Sequence, residues 1–127
     1  VIVVDTSALI AIIDDEPSAQ ACSTALENAT GILVSAATVS EALIVAARRG
    51  ILPSMNTLLD RLDLEIVAVD AAGARQVGNT YGLWGKGFHP AKLNFGDCFA
   101  YALAKSRKCP LLFVGSDFSQ TDIVSAL

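Results

Sequence analysis

The chain holds 13 acidic residues but a single histidine and three cysteines, so any chemistry it performs is most readily carboxylate chemistry. Four acids stand at positions where a fold can use them. Asp5 closes a run of β-branched residues, and Glu41 follows Ser40 inside an apolar-periodic stretch. Asp97 comes just after Asn94 at the start of a helix pattern, and Asp117 follows Gly115 and Ser116 past the last apolar run. Each has a plain structural reading. Asp5 can shape a strand–helix turn, Asp97 suits the positive end of a helix dipole, Glu41 can be a solvated helix residue, and Asp117 can be a turn residue. The set points further than its members. Converging carboxylates repel and raise one another's pKa, and hard divalent cations such as Mg²⁺ and Mn²⁺, which prefer oxygen ligands, offset that repulsion. Such an ion activates a water and neutralises charge on a phosphate, so no side chain has to become a covalent nucleophile.

The elements that must position these acids follow from apolar patterning. Val1–Val4 reads as a buried parallel strand, with Thr6 or Ser7 as cap for a helix over 8–14. Pro17 opens a helix over 18–28, and Gly31 breaks it. A second strand spans 32–35. The apolar positions Val39, Ala42, Leu43 and Ala46 predict a helix over 36–49, stopped by Gly50. Pro53 opens another helix to about Leu62, and 64–69 reads as a third strand. Asp70 caps a helix to about Tyr81. The stretch 81–94 holds three glycines and a proline and reads as a loop. Asn94 caps a helix ended by Pro110, 111–114 is a fourth strand, 115–122 a turn, and the tail a short edge strand. Strands alternating with helices predict an α/β domain with a mostly parallel sheet of four or five strands, covered on both faces. In such sheets ligands bind beyond the carboxyl ends of the strands, where Asp5 and Asp117 fall and toward which Glu41 and Asp97 are brought by the neighbouring helices.

The 127 residues suit one compact domain, 1–127, and the 53% hydrophobic content suffices for a core built mainly from aliphatic residues. No apolar run approaches the roughly 20 residues that cross a bilayer. Val1–Ile13 is apolar, but Asp5 interrupts it and it lacks the flanks of a signal peptide. Cys22, Cys98 and Cys109 are odd in number and form no C-x-x-C, which disfavours a disulfide framework and the usual zinc sites and suits a reducing cytoplasm. Cys98 reads as a buried core thiol.

The net charge of −4 argues against nucleic-acid binding until its distribution is considered. Between Ala71 and Leu112 there are six bases (Arg75, Lys86, Lys92, Lys105, Arg107 and Lys108) against Asp97 alone. Setting four metal-binding carboxylates aside leaves nine acids against nine bases. Lys86, His89 and Lys92 in the glycine-rich loop are candidate phosphate contacts, though His89 before Pro90 suits a turn role equally. Arg48 is a further candidate, with the charge preference of a helix C-terminus as its plain alternative. Trp84 can stack on a base or pack beneath the loop.

The segments VVDTSAL at Val3–Leu9, SE at Ser40–Glu41, NFGDCFAYALA at Asn94–Ala104 and GSDFSQTDI at Gly115–Ile123 resemble, in order and over nearly the whole chain, the PIN-domain toxins of VapBC toxin–antitoxin systems. The resemblance implies a three-layer α/β/α sandwich and an Mg²⁺- or Mn²⁺-dependent endoribonuclease. It also implies a matching VapB-like antitoxin and a homodimer. The family's four acids match Asp5, Glu41, Asp97 and Asp117, with Asp122 as an additional or alternative ligand. The hydroxyl near the first acid matches Thr6 or Ser7, while Ser116 stands where the family often has Asn, a departure; all three are candidates to support the ligands by hydrogen bonds. Apolar residues on the two helices from Ala36 to Leu62 are candidates for a partner-helix groove.

Two other readings compete. An aspartyl-nucleophile phosphatase needs a second acid two places after the first, where Ser7 stands, and a lysine near the last acid, where none follows Lys108. A non-catalytic RNA- or protein-binding module of the same fold is disfavoured by four intact acids. P-loop and dinucleotide-binding readings lack their glycine motifs.

Overall fold

A computed structural model describes residues 1–127. The elements are β1 (Ile2–Val4), α1 (Thr6–Ile13), α2 (Ala19–Asn28), β2 (Ile32–Ser35), α3 (Ala36–Arg49), α4 (Leu52–Arg61), β3 (Leu64–Val67), α5 (Ala71–Trp84), α6 (Phe95–Arg107) and β4 (Leu111–Leu112). The four strands form one parallel sheet in the order β3-β2-β1-β4. Val3 pairs with Leu33 on one side and Leu111 on the other, so β1 is central and fully flanked.

Successive strand residues point to opposite faces, and the two faces bury different helices. Val3, Leu33 and Leu111 pack with Val77, Leu93, Tyr101 and Leu103 of the α5–α6 side. Val4, Ile32, Val34 and Leu112 pack with Leu9, Cys22, Leu26, Ala42 and Met55 of α1–α4. The result is the expected α/β/α sandwich. A strand covered on both sides has no polar face, which is why 1–4 reads as a continuous apolar run. Cys98 lies fully buried among the α6 core residues, as expected of a structural thiol.

Several boundaries differ from the sequence reading, most for an identifiable reason. Asp5, rather than Thr6 or Ser7, caps α1: its Oδ2 accepts from Ser7 N at 3.0 Å, so the helix begins at Thr6. α5 runs through Gly82 to Trp84 instead of stopping near Tyr81. Tertiary contact overrides the weak propensity of Gly82, because Trp84 Nε1 donates to Tyr101 Oη of α6 at 2.9 Å. β4 ends at Leu112 because Val114 N donates to Ser7 Oγ (3.0 Å) and not to a strand. β3 ends at Val67, two residues short of the expected boundary. The tail contributes one bridge beside β4, with Leu111 N donating to Val124 O and Ala126 N to Leu111 O.

Candidate metal centre

The C-terminal edge of the sheet gathers the acids from four elements. Asp5 follows β1 and is buried at 4% exposure. Its backbone N donates to Leu112 O at 3.0 Å, which fixes it beside the end of β4. Its Oδ2 also accepts from Ser7 Oγ at 2.7 Å. Ser7 therefore bridges the first acid to Val114, on the segment that leads to Asp117.

Asp97 is the third residue of α6 and closes a capping box. Asn94 Oδ1 accepts from Asp97 N at 2.8 Å, while Asp97 Oδ2 accepts from Asn94 N at 3.0 Å. Two first-turn donors are thus satisfied reciprocally. The structural role foreseen for this acid is real, yet it occupies one carboxylate oxygen only. Glu41, on the second turn of α3, is half-buried, and its Oε1 accepts from Thr6 Oγ1 at 2.6 Å. Asp117 is exposed in the turn after β4, next to Ser116, whose backbone carbonyl accepts from Ser119.

Electrostatics tie these four together. Burial, partly offset by the hydrogen bonds from Ser7, pushes Asp5 up to about 6, with Glu41 adding to the rise. Burial also pushes Asp97 up to about 7, with Asp5, Asp117 and Glu41 each adding repulsion. Burial is the larger cause in both, the neighbouring carboxylates add to it, and no basic side chain opposes them. The carboxylates are not closed into a finished coordination shell, since no three acid, histidine or cysteine side chains are grouped tightly enough to hold an ion. Their chemistry nonetheless fits a hard cation: all four are oxygen donors, and Asp97 commits one oxygen to Asn94 N and Glu41 one to Thr6 Oγ1. None of the four lines the cavity of about 210 Å³ between β3, α5 and α6. They lie along an edge, where Asp5 and Asp97 are buried, Glu41 is half-buried and Asp117 is open to solvent.

Asp122 is placed differently from the other candidates. Its Oδ1 accepts from Tyr101 Oη and its Oδ2 from Lys105 Nζ at 3.0 Å. These donors lower its pKa, and it does not figure among the groups that raise Asp5 or Asp97. His89 takes the turn role: its Nδ1 accepts from Ala91 N at 3.0 Å and its ring meets Trp84 edge-on, centroids 4.7 Å apart. Trp84 packs beneath the loop. Lys86, Lys92 and Arg48 are exposed, and none makes an ion pair. Sequence reasoning missed Tyr101, which joins Trp84 to Asp122, and Gly96, which lies against Glu41.

The family model described as PIN domain matches residues 2–124. The chain belongs to the PIN-domain family. Among curated proteins, this PIN domain is 45% identical over 127 residues to ribonuclease VapC30 of Mycobacterium tuberculosis, covering 97% of this chain and 96% of the relative. It is 43% identical over 126 residues to a ribonuclease VapC of Mycolicibacterium smegmatis, covering 97% and 98%. Among solved structures, VapC20 of Mycobacterium tuberculosis, described as a sarcin-ricin loop cleaving toxin, superposes with a TM-score of 0.77 at 15% identity, covering 98% of this chain and 97% of that one. A toxin–antitoxin complex from Klebsiella pneumoniae does so with a TM-score of 0.74 at 18% identity, covering 100% and 98%. At those identities the superpositions establish the PIN fold, and the curated relatives add that proteins of this sequence type are ribonucleases.

Proposed function

We propose that this PIN domain is a metal-dependent endoribonuclease and the toxin member of a toxin–antitoxin pair. The observation that carries this reading is the edge cluster: Asp5 and Asp97 are held near 6 and 7 by burial and by their acidic neighbours. A fold keeps such unfavourable charge where a ligand uses it. Asp5, Asp97 and Asp117 are assigned as ligands of Mg²⁺ or Mn²⁺, directly or through water, and Glu41 as a ligand or as the group that orients the attacking water. Ser7 holds Asp5, Thr6 holds Glu41 and Asn94 holds Asp97, which fixes the three carboxylates at the sheet edge where the ion would bind. When bound, the ion supplies an acidified water and positive charge at the scissile phosphate. Hydrolysis in which water bonds to phosphorus, the P–O3′ bond breaks and the departing 3′ oxygen takes up a proton would leave a 5′-phosphate and a 3′-hydroxyl.

The curated VapC relatives support RNA as the substrate. The unpaired surface bases Lys86, Lys92 and Arg48 are assigned to its backbone. The neighbouring toxin–antitoxin structures support an antitoxin as partner. A homodimer is part of this reading, and the exposed rings of Phe88 and Phe95 are apolar surface that it could cover. No helix is long and apolar enough to cross a membrane.

The test is cleavage of total cellular RNA by antitoxin-free protein with Mg²⁺, with Mn²⁺ and with EDTA, beside Asp5→Asn. Discrete cuts bearing 5′-phosphates, lost in EDTA and in the variant, are expected. Folded protein that cuts no RNA with any metal would favour a binding module instead.

A further inference from the structure

Gly96 is the second residue of α6, between Phe95 and Asp97. Its backbone does not occupy the left-handed region, unlike Gly50, Gly87 and Gly115. A helical glycine gives up propensity relative to alanine, so the reason for this one lies in space. A Cβ at position 96 would overlap Glu41 Oε2 and come within 2.7 Å of Glu41 Cδ and 3.1 Å of Oε1. The Glu41 carboxylate therefore rests against the first turn of α6, one residue from Asp97. From the other side it is held by Thr6 Oγ1 at 2.6 Å. α1 and α6 thus grip one carboxylate carried by α3, and only a residue without a side chain leaves room for it.

We propose that Gly96 is a positioning residue of the candidate metal centre, present so that Glu41 can share the site with Asp97. This rests on the metal-dependent reading above. The atoms a Cβ would displace belong to the tip of a flexible side chain, so a methyl group there is relieved by swinging Glu41 aside. That movement breaks the bond from Thr6 and removes a carboxylate from the edge. The backbone of α6 gains an alanine in its first turn. Gly96→Ala should consequently separate stability from site function, which a purely structural glycine would not do.

The experiment is calorimetric titration of Mn²⁺ into the full chain, with thermal unfolding of the metal-free protein, for wild type, Gly96→Ala, Glu41→Asp and the double variant. Gly96→Ala should unfold at or above the wild-type midpoint while its Mn²⁺ affinity falls roughly tenfold, the range seen when a supporting partner of a metal ligand is lost. In the Glu41→Asp background the acid is one methylene shorter, and the same alanine should cost less than about twofold, a non-additivity expected of touching residues. Equal costs in the two backgrounds, or unchanged Mn²⁺ affinity in Gly96→Ala, would overturn the role of Gly96 alone. Loss of folding in both backgrounds would place the clash with the backbone and overturn it too. Wild-type protein that binds no Mn²⁺ would overturn the metal reading, and the proposal with it.

Discussion

Asp117 and Asp122 lie five residues apart in the segment after β4, yet their carboxylates meet different surroundings. Asp122 is matched with donors: a tyrosine hydroxyl and a lysine ammonium meet its two oxygens, and its pKa falls. Asp117 has no such donors, and its charge adds to the burial that pushes Asp97 up to about 7. A carboxylate supplied with donors is explained by the fold that supplies them. Acids that face one another at a sheet edge are not, and there the explanation passes to a cation. The same division runs through α6, whose first turn carries Asp97 while Tyr101 and Lys105, further along, serve Asp122.

The sharpest way to break this contrast is Asp97→Asn. The amide can keep the bond from Asn94 N through its oxygen but carries no charge. RNA cleavage should fall by more than the roughly 10–100-fold typical of losing a supporting partner of a metal ligand. Stability of the metal-free protein should move the other way. Asp5 and Asp97 titrate near 6 and 7 in the fold against an ordinary 3.8. Between pH 4 and 7 the native state therefore binds more protons than the unfolded chain, and stability falls as pH rises through that window. Urea unfolding from pH 4 to 8 should show that decline in wild type and a shallower one in Asp97→Asn. A decline equally steep in the variant would remove Asp97 from the account.

Ser7→Ala is a subtler probe, because Ser7 Oγ donates to Asp5 and accepts from Val114 N. Mn²⁺ affinity should fall on the order of tenfold, and stability by about 1 kcal/mol. Titration calorimetry and denaturant unfolding read the two effects separately. The smallest effect is expected at the matched acid. Its ion pair with Lys105 is exposed, side chains at 55% and 47%, so Asp122→Asn should cost under about 1 kcal/mol. It should leave Mn²⁺ affinity within about twofold, as for sites with no shared partners.

The contrast also marks what the sequence could reveal. The layer order was legible because buried parallel strands and amphipathic helices write different periods, and Asp5 at the end of β1 followed from where the apolar run stops. The capping box at Asn94 and Asp97 was half legible: the cap is local, while the three other acids around Asp97 come from distant segments. Asp122 and Asp117 look alike in sequence, since the donors that separate them, Tyr101 and Lys105, depend on how α6 meets the C-terminal turn. The extension of α5 to Trp84 was hidden for the same reason, its anchor being Tyr101. Gly96 read only as part of a motif, because the atom that forbids a side chain there belongs to Glu41, more than fifty residues earlier.

The most direct measurement of the central claim is an anomalous difference map from crystals soaked in Mn²⁺. The account predicts density among Asp5, Asp97 and Asp117, with Glu41 beside it, and none at Asp122. Density at Asp122 with the sheet edge bare would contradict it.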